Sequence, residues 1–355
     1  MANLAHWRRS LEDNVLDESA LGESLSPATV DDLCRSAGHR WRKSFWTPRV
    51  TLLTFLLQVL DGAKSLRSAV SLLLVHLVDR GEEDLPSCDP SAFCQARQRL
   101  PGAVVHGAMV AVANRMRALV DAENGWHGHP VYLVDGSNVS MPDTPALQKE
   151  FPQSKRQKPG CGFPMAQFVA VFCWTTGAIL EISIDTLRPH ELTLFRRLWD
   201  WFEANSIVVA DRAYGAYVDM ACLYKKGVFC VFRLHQRRKA DFSSGKHLGP
   251  DDRLVTWEKP KYWRPSCGLS RDAFAQLPET LTVRLIRITN CPKGFRSQTI
   301  LVATTLLDPV EFPADEIRAL YRDRWTAEYC QPYCLLCENF YEGSGRGVGV
   351  LSSAA

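Results

Sequence analysis

The sequence predicts a mixed α+β protein with a helical N-terminal domain, a second domain built on a mixed sheet, and an inserted β-rich module. Three observations carry that prediction. Apolar residues recur at three- and four-residue steps through residues 26–120, the spacing of one helix face. After the turn-forming run Glu123-Asn-Gly-Trp-His-Gly-His-Pro130 the pattern changes to short β-prone runs alternating with helical ones. Residues 237–307 then interrupt that alternation with Pro- and Trp-rich sequence and strand patterns of their own.

Taken in order, residues 1–25 form an N-terminal tail and residues 26–125 the helical domain. Within it, Val50–Leu60 and the run after Ser65 read as helices, and Asp89-Pro90 starts a basic helix through Arg99 that Pro101 and Gly102 end. Acidic residues roughly balance basic ones here, which favours a plain helical bundle over a small DNA-binding unit. Residues 130–236 with 308–330 make the mixed-sheet domain. Val131–Val134, Gln167–Trp174 and Ala178–Ile184 read as three neighbouring strands, followed by a helix over Glu191–Ala204, the strand Ile207–Ala210, a helix over Tyr217–Lys226 and the strand Val228–Phe232. Three strands able to meander, then alternating helix and strand, is the element order of an RNase H-like fold. The insertion, 237–307, carries strand candidates at Arg253–Trp257, Leu281–Ile288 and Thr299–Thr304. Residues Ala314–Glu328 read as a helix, and 331–355 as an irregular tail with glycine at every second or third position from Gly343 to Gly349.

Composition excludes several classes. With 355 residues, 46% hydrophobic and 23% charged, the chain is neither disordered nor collagen-like. No apolar run approaches the ~20 residues that a bilayer requires, and the N-terminus has no apolar signal core, so a cytoplasmic protein is expected. The net charge of +3 is uninformative by itself, but basic residues cluster. Met220–Ala240 holds Lys225, Lys226, Arg233, Arg237, Arg238 and Lys239 with His235 and no acid, and Lys155, Arg156 and Lys158 form a second group. The 12 cysteines are scattered through apolar segments and read as reduced, buried thiols. Cys330, Cys334 and Cys337 have no fourth Cys or His nearby, which argues against zinc.

Two aspartates stand at the exits of apolar strands: Asp135 after Val131-Tyr-Leu-Val134, and Asp211 after Ile207-Val-Val-Ala210. A carboxylate there projects into a cleft from a rigid base, as divalent-metal coordination needs; a turn-forming Asp is the plainer reading of either one alone. On a helix, Tyr321, Arg324, Trp325 and Glu328 share one face. Taken alone, that face reads as partly exposed, with an Arg324 to Glu328 ion pair of only about 0.3–0.5 kcal/mol.

Together these pieces resemble the insertion-sequence DDE transposases of the group with a Tyr-Arg-Glu-Lys signature: Tyr, two residues, Arg, three residues, Glu, six residues, Lys. Tyr321, Arg324 and Glu328 stand at the required spacings. Val134-Asp-Gly-Ser137 with Met141-Pro-Asp-Thr144 resembles the first Asp motif, Ala210-Asp-Arg-Ala-Tyr-Gly215 the second, and Phe151–Pro164 the loop after the first strand. The resemblance runs from about Leu25 to Glu328.

The resemblance implies an RNase H-like catalytic domain with a β-rich insertion. It also implies phosphoryl transfer on DNA through Mg²⁺ ions, or Mn²⁺ in their place, held by Asp135, Asp211 and Glu328. It casts Tyr321 and Arg324 as contacts to DNA phosphates near the transposon end. Lys155, Arg156, Lys158, Arg237, Arg238 and Lys239 would track backbone phosphates; for any one of them a solvated surface charge is an equal reading. Trp257 and Trp263 would stack on an extruded base, with core packing the favoured alternative. The partners implied are double-stranded DNA with terminal inverted repeats, target DNA, and a second copy in a homodimer on DNA, in a nucleoid-associated cytoplasmic setting.

The chain departs from the pattern after Glu328. Leu335 occupies the position of the signature lysine, and Pro332 would clash with the carbonyl of Glu328 in a continuing helix. A reading frame truncated or shifted just after Glu328 is therefore expected. Two other functions compete with an active transposase: a catalytically silent DNA-binding remnant or inhibitor of transposition, and a stand-alone RNase H-like nuclease.

Overall fold

The computed structural model describes residues 24–42, 44–60, 65–83, 85–119, 125–235, 238, 242–290 and 298–330, the side chains of residues 119, 290, 298 and 325–330 excepted. The described residues fall into two compact units, 24–116 with Val139–Ala166, and Arg117–Asn138 with 167–330. The cysteine trio reaches this description only at the backbone of Cys330, and the tail from 331 lies outside the described residues. No helix among the described residues is long and apolar enough to cross a membrane.

The first unit contains the helices α1 (Pro27–Ser36), α2 (Pro48–Leu60), α3 (Leu66–Asp79), α4 (Ser91–Arg99) and most of α5 (Gly102–Leu119). Ser26 caps α1 by accepting from the Thr29 amide at 3.2 Å, and Pro27 follows at a position where its missing N–H costs nothing. Helix α2 is apolar all round, burying Leu52, Leu53, Phe55, Leu57 and Val59, as a central helix must. It packs against α1, α3 and α4. Arg97 of the basic helix α4 is turned inward, donating to Gln58 Oε1 at 2.8 Å beneath the Phe55 ring. That arginine belongs to the bundle.

The same unit holds an excursion from the main sheet, with the short helix α6 (Pro145–Glu150) and a loop to Pro164. Gln153 organises the loop. Its Nε2 donates to the Lys158 carbonyl at 2.8 Å and its Oε1 accepts from the amides of Gly160 and Gly162 at 3.0 and 3.3 Å. Lys155, Arg156 and Lys158 are exposed on this scaffold.

The second unit is a nine-stranded sheet in the order β3-β2-β1-β4-β5-β9-β8-β7-β6. Its first five strands are β1 (Val131–Ser140), β2 (Met165–Cys173), β3 (Ile179–Thr186), β4 (Ile207–Ala210) and β5 (Phe229–Arg233). The order 3-2-1-4-5 is the RNase H-like arrangement. β1, β4 and β5 run parallel, Val131 opposite Ile207 and Ile207 opposite Phe229. All four residues of β4 are buried, as expected for a strand covered on both faces. The covering helices are α7 (Glu191–Arg197), α8 (Tyr217–Lys225) and α10 (Ala314–Cys330), the last packing on β4, β5 and β8.

Residues 246–304 continue this sheet. Strands β6 (Lys246–Gly249), β7 (Asp252–Glu258), β8 (Thr280–Asn290) and β9 (Gln298–Thr304) pair antiparallel, and β9 joins β5 with Phe232 opposite Ala303. The short helix α9 (Arg271–Ala275) lies between β7 and β8. A buried ion pair ties the extension down: Arg284 donates from Nε and Nη2 to the two oxygens of Asp252 at 2.8 and 2.5 Å, and from Nη1 to the Phe312 carbonyl at 2.7 Å.

Cysteine burial follows expectation only in part. Cys34, Cys173 and Cys230 are buried free thiols, whereas Cys88 and Cys161 are exposed in loops, where no strand or helix face turns them inward.

Candidate active site

Because Val134 and Ala210 are register partners, Asp135 and Asp211 leave two adjacent parallel strands side by side. Ligand sites in sheets of this kind form at the carboxyl ends of the strands. The two aspartates are held differently. Asp135 Oδ1 accepts from the amide of Gly136 at 3.0 Å. Asp211 lies between two arginines, Arg233 Nη1 at 3.6 Å from Oδ1 and Arg212 Nε at 4.0 Å from Oδ2. Its Oδ1 is buried and accepts no hydrogen bond, an acceptor left unsatisfied at a cost of about 1–3 kcal/mol.

Such an orphan calls for an ion or water. A hard divalent cation fits it, since such ions take oxygen ligands and favour carboxylates. Among the described residues no group of three or more His, Cys, Asp or Glu is close enough to hold a metal. Glu328 lies in the backbone of α10, but its side chain is outside the described residues.

On helix α10, Tyr321 and Arg324 are buried, not partly exposed as that face taken alone suggested, and the side chains of Trp325 and Glu328 lie outside the described residues. Ile317, Leu320, Tyr321 and Arg324 are 0, 1, 1 and 5% exposed. The Arg324 guanidinium lies 5.8 Å from the Tyr321 ring centre. Burial pushes the Tyr321 phenol up to about 12, with the Asp211 carboxylate adding to the shift and Arg324 and Arg233 opposing it. The Tyr321 hydroxyl is buried and makes no hydrogen bond, and Asp211 and Arg233 are among the charges that act on it.

Two residues that sequence reasoning did not single out complete the corner. Tyr214, fully buried, donates its hydroxyl to Glu191 Oε1. Glu191 opens α7, and its carboxylate packs so tightly on Gly136 that a Cβ there would lie 2.7 Å from its Cδ. The signals were present in the sequence: the Pro-His-Glu helix start at 189–191, and the Tyr-Gly that closes the second Asp motif. Gly215 is required by another close approach, since a Cβ there would stand 3.1 Å from the Arg233 carbonyl.

Beside Asp211 a cleft of about 820 Å³ is lined by His190, Arg212, Tyr217, His235, Arg238 and Pro260 among others. Its charged lining is cationic. Arg238 stacks 3.8 Å from the ring centre of Trp257, which is 7% exposed, so Trp257 is packed in the core. Trp263 is partly buried, its Nε1 donating to the Leu269 carbonyl at 2.9 Å, with Arg271 5.0 Å from its ring centre. Arg237 and Lys239 lie outside the described residues. Lys155, Arg156 and Lys158 belong to the loop of the first unit.

Comparison with known proteins bears on this geometry. The family described as Transposase DDE domain matches residues 126–329, the segment that contains both aspartates and Glu328. The chain is 23% identical over 311 residues to the transposase InsG for insertion sequence element IS4 of Escherichia coli, covering 87% of this chain and 66% of that protein. It is 26% identical over 157 residues to the putative transposase InsZ of the same organism, covering 43% of this chain and 52% of that one. The chain therefore spans just under two thirds of one relative and about half of the other.

Proposed function

We propose that this chain, which belongs to the transposase DDE domain family, cleaves DNA at insertion-sequence ends and transfers the strand, with Asp135, Asp211 and Glu328 holding a divalent cation. The observation that carries this reading is the pair of aspartates on register-matched strand ends, one of them with a buried oxygen that accepts no hydrogen bond. When bound there, Mg²⁺, with Mn²⁺ as its substitute, supplies Lewis-acid activation of a water or 3′ hydroxyl and stabilisation of the leaving oxygen.

The chain's own residues do the positioning. Strands β1 and β4 fix the two carboxylates so that little reorganisation is needed on binding. Glu328, four residues beyond Arg324 along α10, is the third ligand in this reading. Arg212 and Arg233 balance the charge of Asp211 until a cation does so.

DNA backbone phosphates are tracked by Lys155, Arg156 and Lys158 on the glutamine-held loop, by Arg238 in the cationic cleft, and by Arg237 and Lys239, which lie outside the described residues. Tyr321 and Arg324, nearly buried, reach a phosphate only when a DNA end is seated against Asp211. The partners in this reading are duplex DNA with terminal inverted repeats, target DNA and a second copy of the chain, acting at the nucleoid.

The test is an end-nicking and strand-transfer assay with Mg²⁺ or Mn²⁺, comparing the chain with Asp135→Ala. Metal-dependent cleavage that the substitution abolishes is expected. DNA binding without cleavage would replace this reading with a silent DNA-binding remnant, and cleavage indifferent to inverted repeats with a plain nuclease.

A further inference from the structure

We propose that Glu191 is a positioning residue for Asp135 and Asp211, acting through Gly136 on one side and Tyr214 on the other. This rests on the reading of those aspartates as metal ligands.

The contacts form a continuous line across the site. The Asp135 carboxylate accepts from the Gly136 amide at 3.0 Å. Gly136 in turn is packed against the Glu191 side chain, with an added Cβ only 2.7 and 2.9 Å from Glu191 Cδ and Cγ. Glu191 Oε1 receives the Tyr214 hydroxyl. The Tyr214 amide closes the turn by donating to the Asp211 carbonyl at 3.2 Å. Three segments that share no strand pairing with one another beyond β1 and β4 are thereby fixed: the end of β1, the start of α7, and the loop after β4.

Glu191 suits this task for a physical reason. Tyr214 is fully buried, so its hydroxyl has no water to turn to, and the carboxylate it reaches is a strong acceptor. Burial first, then Glu191 and more weakly Asp135 and Asp211, push the phenol far above its ordinary range, so it remains a donor at any working pH. The glycine matters equally. Any side chain at 136 would push Glu191 away or tilt the Asp135 amide plane, and glycine alone lets the carboxylate sit against the backbone that carries Asp135.

A carboxylate here could instead stabilise the fold and nothing more, or ligate the cation itself. Full-length Tyr214→Phe, Glu191→Ala and Glu191→Gln separate these roles, each with Mn²⁺ affinity by calorimetry, thermal midpoint and Mn²⁺-dependent cleavage measured. A positioning role makes Tyr214→Phe and Glu191→Ala bind Mn²⁺ roughly 10- to 100-fold more weakly, the usual effect of losing an outer partner, with little change in thermal midpoint in Tyr214→Phe and a modest fall in Glu191→Ala, which leaves the buried Tyr214 hydroxyl without its acceptor. Glu191→Gln keeps an acceptor for Tyr214 and recovers most of the affinity.

Unchanged Mn²⁺ affinity in Tyr214→Phe and Glu191→Ala overturns the proposal, as does a loss that follows the unfolded fraction. Glu191→Gln as damaging as Glu191→Ala overturns it in favour of direct ligation. Should Glu191→Ala fail to fold, the near-isosteric Tyr214→Phe still decides. Asp135→Ala serves as the reference: if it leaves Mn²⁺ binding intact, the reading of the aspartates as ligands fails, and if it abolishes binding while the Glu191 and Tyr214 variants bind normally, only the positioning role fails.

Discussion

Val134 and Ala210 face each other across β1 and β4, so the next residue on each strand is an aspartate at the same edge of the sheet. Asp211→Asn keeps the shape of that edge and removes one charge. Cation affinity and cleavage are expected to fall more than the roughly 10–100-fold seen on losing an outer partner, with the thermal midpoint nearly unchanged. Cleavage within a few-fold of the parent chain would remove Asp211 from the metal site.

The loop over residues 151–164 makes a separate prediction, because its three cations stand on hydrogen bonds from one side chain, Gln153. Every cation that neutralises a phosphate adds roughly 0.9 to the slope of log affinity against log salt. Replacing Lys155, Arg156 and Lys158 with alanine together should lower that slope by about 2.7. Gln153→Ala leaves the charges in place, so it should weaken binding while barely changing the slope. Filter-binding titrations across salt concentration measure both, and an unchanged slope in the triple variant shows the loop does not touch DNA.

Much of this architecture was legible in the sequence because its strands are written as short β-prone runs, and the parallel β4, covered on both faces, as an unbroken apolar one. Ile207–Ala210 is read to the residue, and β1, β2, β3, β5, β7, β8 and β9 to within a few positions, except that β1 continues to Ser140. The helix read over Glu191–Ala204 stops at Arg197 and gives way to a 3-10 turn at Trp199–Trp201, where bulky tryptophans pack instead of continuing the helical ladder. Strand β6 was illegible: Lys246-His-Leu-Gly249 is a short, polar edge strand formed only by pairing with β7. At the site, the spacing of Tyr321 and Arg324 foretold a shared face, but nothing local in the sequence announces that Glu191 meets Tyr214, since their contact exists only once α7 folds over the β4 exit.

Arg284 and Asp252 are 0 and 4% exposed, and their ion pair joins β8 to β7 in the interior. Removing one partner strands a buried charge, so Arg284→Met or Asp252→Leu alone should destabilise by about 3–5 kcal/mol. The double replacement restores an apolar interior and should recover most of that loss, although the Phe312 carbonyl then lacks its donor. Denaturant unfolding of the two single variants and the double variant gives the coupling directly. Additive losses would mean the two side chains are held independently of each other.

Tyr321 links the signature helix to stability at high pH. In the unfolded chain its phenol ionises at about 10, whereas in the folded chain burial raises it to about 12. Between those values the unfolded state has released a proton that the native state retains, so stability must fall as pH rises through this window and is fully present below it. Tyr321→Phe cannot ionise, and its stability should therefore decline less steeply over the same range. Denaturation midpoints measured from neutral pH upward for both proteins check this. Parallel declines would show that Tyr321 titrates normally and that its hydroxyl is reached by water, which would contradict its burial on α10.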